Sequence, residues 1–185
     1  NALVPELGQV KSIAQHVVTE KDGPLALAGA RAGIVVLAGT GAFAYGRRAD
    51  GQEILFDGIG PLYGDYGSGF QIGLAGIRAA GRSSWSRRYK TALAGPIVEA
   101  CREQSGMGSE FNMVSYMCDI RDRSEIAALA RIVDQVAGDG DRIATAIIRG
   151  SAADMAETVR CVVDHLGVAR EQLPMIGTGS VATHS

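Results

Sequence analysis

The sequence predicts an α/β fold: a mixed sheet that contains an antiparallel hairpin and is flanked by helices. A β-branched apolar run at residues 34–38, bounded by glycines, has the length and composition of a buried strand. Two further strand-like segments, 42–48 and 52–56, are joined by Ala49-Asp50-Gly51, and an Asp-Gly pair is a strong hairpin signal. Most of the remaining chain repeats apolar residues at helical spacing, which places helices beside this sheet.

The segment before the sheet, residues 1–30, is interpreted as the tail of a preceding domain or as an interdomain element. We expect a short strand over 13–19 and a short helix over 25–30, which follows Asp22, a turn-forming residue before a Gly-Pro pair. Residues 31–185 then form the main domain. A chain of 185 residues has the length of one domain, or of one and a half.

Helices fill most of the region between the hairpin and the last strand. Ser68 caps a helix over 70–80 that ends at Gly81, and Ser124 caps an amphipathic helix over 124–136. We expect a second helix over 91–103 and an irregular stretch over 104–122. A long helix over 142–166 ends at Gly167, and a last strand follows over 173–176.

Two polar segments suggest function but are better explained by structure. The carboxylates of Gly138-Asp139-Gly140-Asp141 resemble a metal-binding pair, yet the pattern is more typical of a helix break followed by an N-cap. Residues 82–90 are basic around Trp85, and we interpret them as a solvated loop with one anchoring aromatic side chain.

Composition and charge exclude several classes of partner. The net charge is −2 and aromatic residues make up 5% of the chain, so neither nucleic acid nor a membrane surface is expected. Cys101, Cys118 and Cys161 are far apart and form no CxxC pair, which argues against a disulfide framework and a zinc site. Because there is no membrane-length apolar run and no signal-peptide pattern, we expect a reducing, cytoplasmic location.

Residues Gly39-Thr40-Gly41 carry the strongest functional signal. They end a predicted strand, and glycine amides with no Cβ in the way, together with a threonine hydroxyl, can hold phosphate oxygens. A tight β-turn explains the triplet equally well. A second glycine cluster at residues 64–69 opens a helix and contains one carboxylate, Asp65. That residue is either a ligand or a helix-start residue favoured by the helix dipole.

Three segments resemble the N-acetylglucosamine kinase family, which is grouped with the BadF/BadG/BcrA/BcrD-type ATPases in the actin-like (ribonuclease H-like) ATPase superfamily. They are GIVVLAGTGAFAYGRRADG, GPLYGDYGSGFQIGLAGIRAA and IAALARIVDQVAGDGDRIATAIIRGSA. The similarity runs from about residue 22 to about residue 180. It implies that residues 31–185 form the C-terminal domain of an actin-like ATPase. The implied reaction uses ATP and Mg²⁺ to phosphorylate a hydroxyl of a hexose or hexosamine.

The resemblance also implies roles for individual residues. Gly39, Thr40 and Gly41 match the motif whose backbone donors face the β- and γ-phosphates, and Asp22 matches the general base toward the sugar hydroxyl. Asp65 and Gly60 fall on the sugar side. Gly177, Thr178 and Gly179 match the turn that packs on the adenosine. No residue of this chain is implied as a metal ligand.

The sequence departs from the family pattern in several places. Tyr66 stands where the family has glutamate, Ile59 where it has tryptophan, and Asp22 has different neighbours. The family's first phosphate loop belongs to a preceding N-terminal domain, so we expect residues 31–185 to be incomplete at both ends. We also expect this chain alone to lack kinase activity, and to form a homodimer or pair with such a domain. The alternative function is a non-kinase ATP-binding regulator or activator, or a non-catalytic fragment of the fold.

Overall fold

The computed structural model describes residues 32–119, 122–167 and 174–184. Within these residues the sheet consists of strands β1 Gly33–Ala38, β2 Ala42–Arg47, β3 Glu53–Asp57 and β4 Met175–Thr178. The strand order is β3-β2-β1-β4. Strand β2 pairs antiparallel with both β1 and β3, and β1 pairs parallel with β4. This confirms the predicted mixed sheet with an antiparallel hairpin. Asp22 and the elements expected over 13–19 and 25–30 lie outside the described residues.

Helices surround the sheet and form a second core among themselves. In the described part of the chain they are α1 Gly69–Trp85, α2 Ala94–Ser105, α3 Met113–Asp119, α4 Arg123–Ala128, α5 Ala130–Gly138, α6 Arg142–Leu166 and α7 Ser180–His184. The long helix α6 crosses one face of the sheet, where Val162 and Leu166 join a cluster with Ile34 and Ala44. The helical core centres on fully buried side chains such as Ile97 on α2. One core therefore packs α6 against the sheet, and the other packs the helices against one another.

Helix α1 begins as predicted but ends later. The hydroxyl of Ser68 accepts the Gln71 amide at 3.3 Å, which confirms Ser68 as the N-cap. Gly81 does not end the helix, because one exposed glycine inside a helix costs only about 1 kcal/mol, and buried Ser83 helps to hold the following turn. The interpretation of Trp85 as an anchor is wrong, since its side chain is 75% exposed.

The helix predicted over 124–136 is two helices, α4 and α5, that meet at Leu129. The amide of Leu129, which is buried, bonds to the Ile126 carbonyl at 3.1 Å, so the chain tightens there into a 3₁₀-type turn. The cap of α4 is Asp122 rather than Ser124, because the Asp122 carboxylate accepts the Ser124 amide at 2.8 Å. The sequence contains both capping side chains, and only the fold selects between them.

Helix α3 lies in the stretch 104–122, which is predicted to be irregular. The side-chain oxygen of Asn112 accepts the amides of Val114 and Ser115 at 2.9 and 3.2 Å, which starts the helix. Tyr116 on α3 is buried and its hydroxyl donates to Gln104 at 2.6 Å. Contacts with α2, rather than a long apolar stripe, therefore stabilise this short helix.

Asp141 ties the start of α6 to the segment between α1 and α2. Its Oδ1 accepts the amides of Ile143 and Ala144 and the hydroxyl of Thr91, each at 2.9 Å, and its Oδ2 accepts the Ala92 amide at 2.8 Å. This geometry confirms the N-cap interpretation. Burial is the largest single influence on the pKa of Asp141 and raises it, but the four hydrogen bonds together outweigh burial. The pKa therefore lies below its ordinary value of 3.8.

We predict that Asp141→Ala destabilises the fold near neutral pH by about 0.5–2 kcal/mol, the range for a lost N-cap. Because its pKa is lowered in the folded state, ionised Asp141 stabilises the fold above its unfolded pKa. That contribution is lost as the pH falls through the folded pKa. Urea unfolding from about pH 7 down to about pH 3 should show a shrinking difference between the wild type and the variant. Exposed Asp139→Ala is the control, and a pH-independent difference would contradict the linkage.

Helices α1 and α4 approach closely at Gly73. A Cβ at this position would overlap the carbonyl oxygen of Ile126 and lie 2.9 Å from its carbonyl carbon, and neither atom can move without shifting α4. We predict that Gly73→Ala destabilises the fold by about 1–3 kcal/mol or more. Gly81→Ala is the control, because Gly81 lies on the same helix in open space, and it should be neutral or stabilise by up to about 1 kcal/mol. Thermal unfolding compares the two, and equal effects would refute the close approach.

Candidate functional site

Two glycine turns lie side by side where the parallel strands β1 and β4 end. Leu37 is opposite Thr178 in the register, so β1 leads into Gly39-Thr40-Gly41 at the same end of the sheet where β4 ends. The prediction that the last strand ends at residue 176 is wrong, because Gly177 and Thr178 belong to β4 and Gly179 follows it. Gly179 has a φ of +92°, and a Cβ on it would overlap the Ala38 carbonyl and lie 2.9 Å from the Gly39 amide nitrogen. Only glycine therefore fits between the turns. The structure brings together the two predicted nucleotide-contacting triplets.

The first turn, Gly39-Thr40-Gly41, has its carbonyl groups bonded within the protein. The Gly41 carbonyl accepts the Gly39 amide at 2.9 Å, and the Gly39 and Thr40 carbonyls accept the Gly69 and Phe70 amides at 2.7 and 3.4 Å. Among the described residues, nothing bonds to the amides of Thr40 and Gly41 or to the Thr40 hydroxyl, and Thr40 is exposed. The turn therefore presents donors with no competing acceptor, as anion binding requires.

Asp65 lies directly against this turn. A Cβ on Gly41 would be 3.2 Å from Asp65 Oδ2, and the Gly60 amide donates to Asp65 Oδ1 at 3.3 Å. Asp65 is buried and has a φ of +56°. The predicted sugar-side residues Asp65 and Gly60 are therefore in contact, and Asp65 adjoins the first turn. Asp65 precedes the cap of α1, so the helix-dipole alternative does not explain its position.

Arg123 is the partner that balances the Asp65 carboxylate. Its Nη2 lies 2.5 Å from Asp65 Oδ2, and its guanidinium carbon lies 6.0 Å from the Phe70 ring centre. Sequence reasoning missed Arg123, which is separated from Asp65 by 58 positions. Its place one residue before Ser124, at the start of an amphipathic pattern, gives no sign of a contact with the glycine cluster.

The loop between β3 and α1 is held by two further side chains that sequence reasoning missed. Asp57 Oδ1 accepts the Asp65 amide at 2.6 Å and Oδ2 accepts the Tyr66 amide at 2.7 Å. Gln71 donates to the carbonyls of Pro61 and Gly64 at 2.8 and 3.1 Å. These bonds fix the backbone at Asp65, where a non-glycine residue takes an otherwise unfavourable positive φ. The Asp57-Gly58 pair at a strand end was the available signal.

A cleft of about 1140 Å³ opens beside both turns and runs between α4, α5, α6 and α7. Its lining includes Gly39, Thr40 and Gly177 at one end, and mostly apolar side chains of α6 along its length. Ser151 on α6 has a buried hydroxyl that finds no hydrogen-bond partner among the described residues. A concave apolar site with a few polar groups at one end suits a ligand with an aromatic part and a charged part.

The described residues show neither a metal cluster nor a membrane span. No group of three or more His, Cys, Asp or Glu side chains comes together in the described part of the chain. None of its helices is long and apolar enough to cross a membrane.

A mixed sheet whose parallel strands end beside a helix-lined cleft is the arrangement of the actin-like ATPase fold. The family model for the BadF/BadG/BcrA/BcrD ATPase family matches residues 4–185. The chain belongs to this family, and the resemblance of the sequence is confirmed. The crystal structure of a Chromobacterium violaceum protein described as an N-acetylglucosamine kinase superposes with a TM-score of 0.69 at 22% identity, over 86% of this chain and 52% of that one.

Curated relatives agree with the family assignment. The N-acetylmuramic acid/N-acetylglucosamine kinase of Clostridium acetobutylicum is 31% identical over 169 residues, which is 89% of this chain and 54% of that protein. The N-acetyl-D-glucosamine kinase of Dictyostelium discoideum is 29% identical over 150 residues, covering 80% of this chain and 46% of that protein. The chain therefore spans about half the length of the curated relatives it matches.

Proposed function

We propose that this chain is the ATP-binding part of a kinase that phosphorylates a hydroxyl of an amino sugar. One observation carries the proposal: the amides of Thr40 and Gly41 have no acceptor among the described residues, and Gly39 and Thr40 line the same cleft as Gly177. Phosphoryl transfer depends mainly on positioned phosphates and electrostatic stabilisation, which a turn of this kind supplies. The kinases among its relatives support this reading of the site.

The proposal gives each predicted residue a role. The amides of Thr40 and Gly41 bind the β- and γ-phosphates of ATP, and the second turn, Gly177-Thr178-Gly179, packs on the adenosine. Asp65 and Gly60 lie toward the sugar. Asp22 is the general base that accepts the proton of the sugar hydroxyl.

Mg²⁺ would reach this site with the phosphates of ATP. The described residues bring together no group of three candidate ligands, and the carboxylate nearest the first turn, Asp65, is already paired with Arg123. The described residues therefore do not form a protein cage for the metal. Mg²⁺ commonly binds through substrate phosphates with few protein ligands.

The choice of an amino sugar rests on the relatives. Their names state that they are kinases of N-acetylglucosamine, and in one case also of N-acetylmuramic acid. A competing function, an ATP-binding regulator without transfer activity, is favoured by one observation. Both Asp65 oxygens are engaged inside the protein, by Arg123 and by the Gly60 amide, so neither is free of a protein partner before a sugar arrives.

Isothermal titration with a non-hydrolysable Mg–ATP analogue, with and without N-acetylglucosamine, separates the two functions. The kinase proposal expects the analogue to bind and the sugar to change its affinity. When a segment bearing the first phosphate loop is supplied, a coupled ADP-release assay with a panel of hexoses and hexosamines should favour a hexosamine. Nucleotide binding that no sugar alters, together with no sugar-dependent ADP release when that segment is present, would overturn the kinase proposal in favour of the regulator.

A further inference from the structure

The Asp65–Arg123 pair joins the glycine turn to a separate helix. Arg123 is the first residue of α4, whose N-terminus is capped by Asp122. Its guanidinium reaches a carboxylate that is only 4% exposed, while the arginine side chain itself is 48% exposed. The pair therefore lies at the boundary between the protein interior and the solvent.

The position of the pair makes its charge balance important for the turn. Asp65 Oδ2 is the atom nearest to a Cβ built on Gly41, and Asp57, a second carboxylate, accepts the Asp65 amide. One acidic side chain therefore adjoins a turn that is proposed to receive a polyanion, and a second holds the backbone of the first. A buried carboxylate without a counterion would repel phosphate and would itself be costly. Among the described residues, Arg123 is the cation that contacts Asp65.

Arg123 also reaches the turn by a second route. Its guanidinium faces the ring of Phe70, and the Phe70 amide donates to the Thr40 carbonyl. One arginine thus lies against two residues that adjoin the turn, Asp65 beside Gly41 and Phe70 beside Thr40. Contacts of this kind fix the orientation of the backbone groups that bind a ligand, although the supporting residue does not touch the ligand.

We propose that Arg123 is a positioning residue for the phosphate-binding turn: it neutralises and orients the Asp65 carboxylate so that Gly39-Thr40-Gly41 accepts the phosphates of ATP. This inference rests on the proposed nucleotide binding, and in it Arg123 acts on the turn through Asp65. It predicts how the affinity for each nucleotide changes when Arg123 is replaced. The penalty for losing Arg123 must grow with the negative charge of the ligand, because its origin is repulsion from an unbalanced Asp65.

The test titrates adenosine, ADP and the Mg–ATP analogue into the wild type and into Arg123→Gln. We expect less than about twofold loss for adenosine and about tenfold or more for the ATP analogue, the scale of one charged hydrogen bond. Arg123→Lys should retain most of the affinity. Arg123→Gln combined with Asp65→Asn should recover most of the loss, because no unbalanced charge remains. Arg102→Gln on α2, which breaks an exposed pair with Glu99, is the matched control.

The possible failures are distinguishable. An equal loss for all three ligands, or no recovery in the double variant, would overturn the positioning role while leaving nucleotide binding intact. A wild type that binds none of the phosphorylated ligands would overturn the proposed function and this inference with it. Thermal unfolding shows whether Arg123→Gln folds. If it does not, Arg123→Lys is compared with the double variant, and a loss of affinity in Arg123→Lys that is equal for adenosine, ADP and the ATP analogue would contradict the proposal.

Discussion

Asp22→Asn should lower the rate of sugar phosphorylation by about 10²–10⁴-fold, the usual cost of losing a general base, in a form of the protein that is supplied with the first phosphate loop and is active. The affinity for the Mg–ATP analogue should stay nearly unchanged, because the proposed base acts on the sugar hydroxyl rather than on the nucleotide. The substitution keeps the size of the side chain and removes its ability to accept a proton. Steady-state kinetics by coupled ADP release, together with isothermal titration of the analogue, measure the two effects separately.

The control for this prediction is Glu20→Gln, which removes a carboxylate two residues away in the same segment. It should leave the turnover rate within about twofold, as is usual for a substitution away from the chemistry. Near-wild-type turnover in Asp22→Asn would remove the assignment of Asp22 as the base. A parallel loss of nucleotide affinity would instead indicate a structural role.

Gly41→Val should weaken binding of the Mg–ATP analogue by about 10- to 100-fold, since each hydrogen bond to a charged group is worth about 1.5–3 kcal/mol. A Cβ at this position would meet Asp65 Oδ2 at 3.2 Å, and the branched side chain would also crowd the approach of phosphate to the Thr40 and Gly41 amides. Gly41→Ala should show a smaller loss. Isothermal titration measures the series, and thermal unfolding checks that each variant is folded.

Gly108→Val is the matched control, because Gly108 lies in a loop with open space around it. It introduces the same side chain without approaching the cleft, so its nucleotide affinity should equal that of the wild type. A folded Gly41→Val protein with unchanged affinity would show that the triplet is only a turn.

The sheet and the position of the first glycine turn could be predicted because both are local. A β-branched run between glycines and an Asp-Gly connection each constrain a few adjacent residues, and the structure confirms them at β1 and in the β2–β3 hairpin. The long helix α6 and its Gly167 cap were predictable for the same reason, since an extended apolar stripe and a C-cap glycine are short-range patterns.

Helix interruptions were harder to predict, because tertiary packing decides them. Glycine is typical of helix ends, yet α1 continues through Gly81. Leu129 is a good helix former inside a helical pattern, yet α4 ends there, and its side chain is buried in the helical core. Propensity is a weak guide where burial of one large side chain outweighs it.

The supporting residues of the site could not be predicted from the sequence. Arg123 meets Asp65 only when α4 is folded against α1, an approach that depends on Gly73 having no side chain. Asp57 holds the backbone of Asp65 by hydrogen bonds that no spacing rule describes. Contacts between distant segments are a property of the fold, whereas the motif that they support is a property of the local sequence.

The central claim is that the two glycine turns bind one nucleotide together, and backbone amide chemical shifts test it most directly. In a titration of the isotope-labelled 19.3 kDa chain with the Mg–ATP analogue, the largest saturable shifts should fall on Thr40 and Gly41 and on Gly177 to Gly179. Gly51, in the exposed hairpin turn of the same molecule, should not move and serves as the internal control. Saturable shifts confined to residues outside both turns, or no saturable shift at all, would contradict the account.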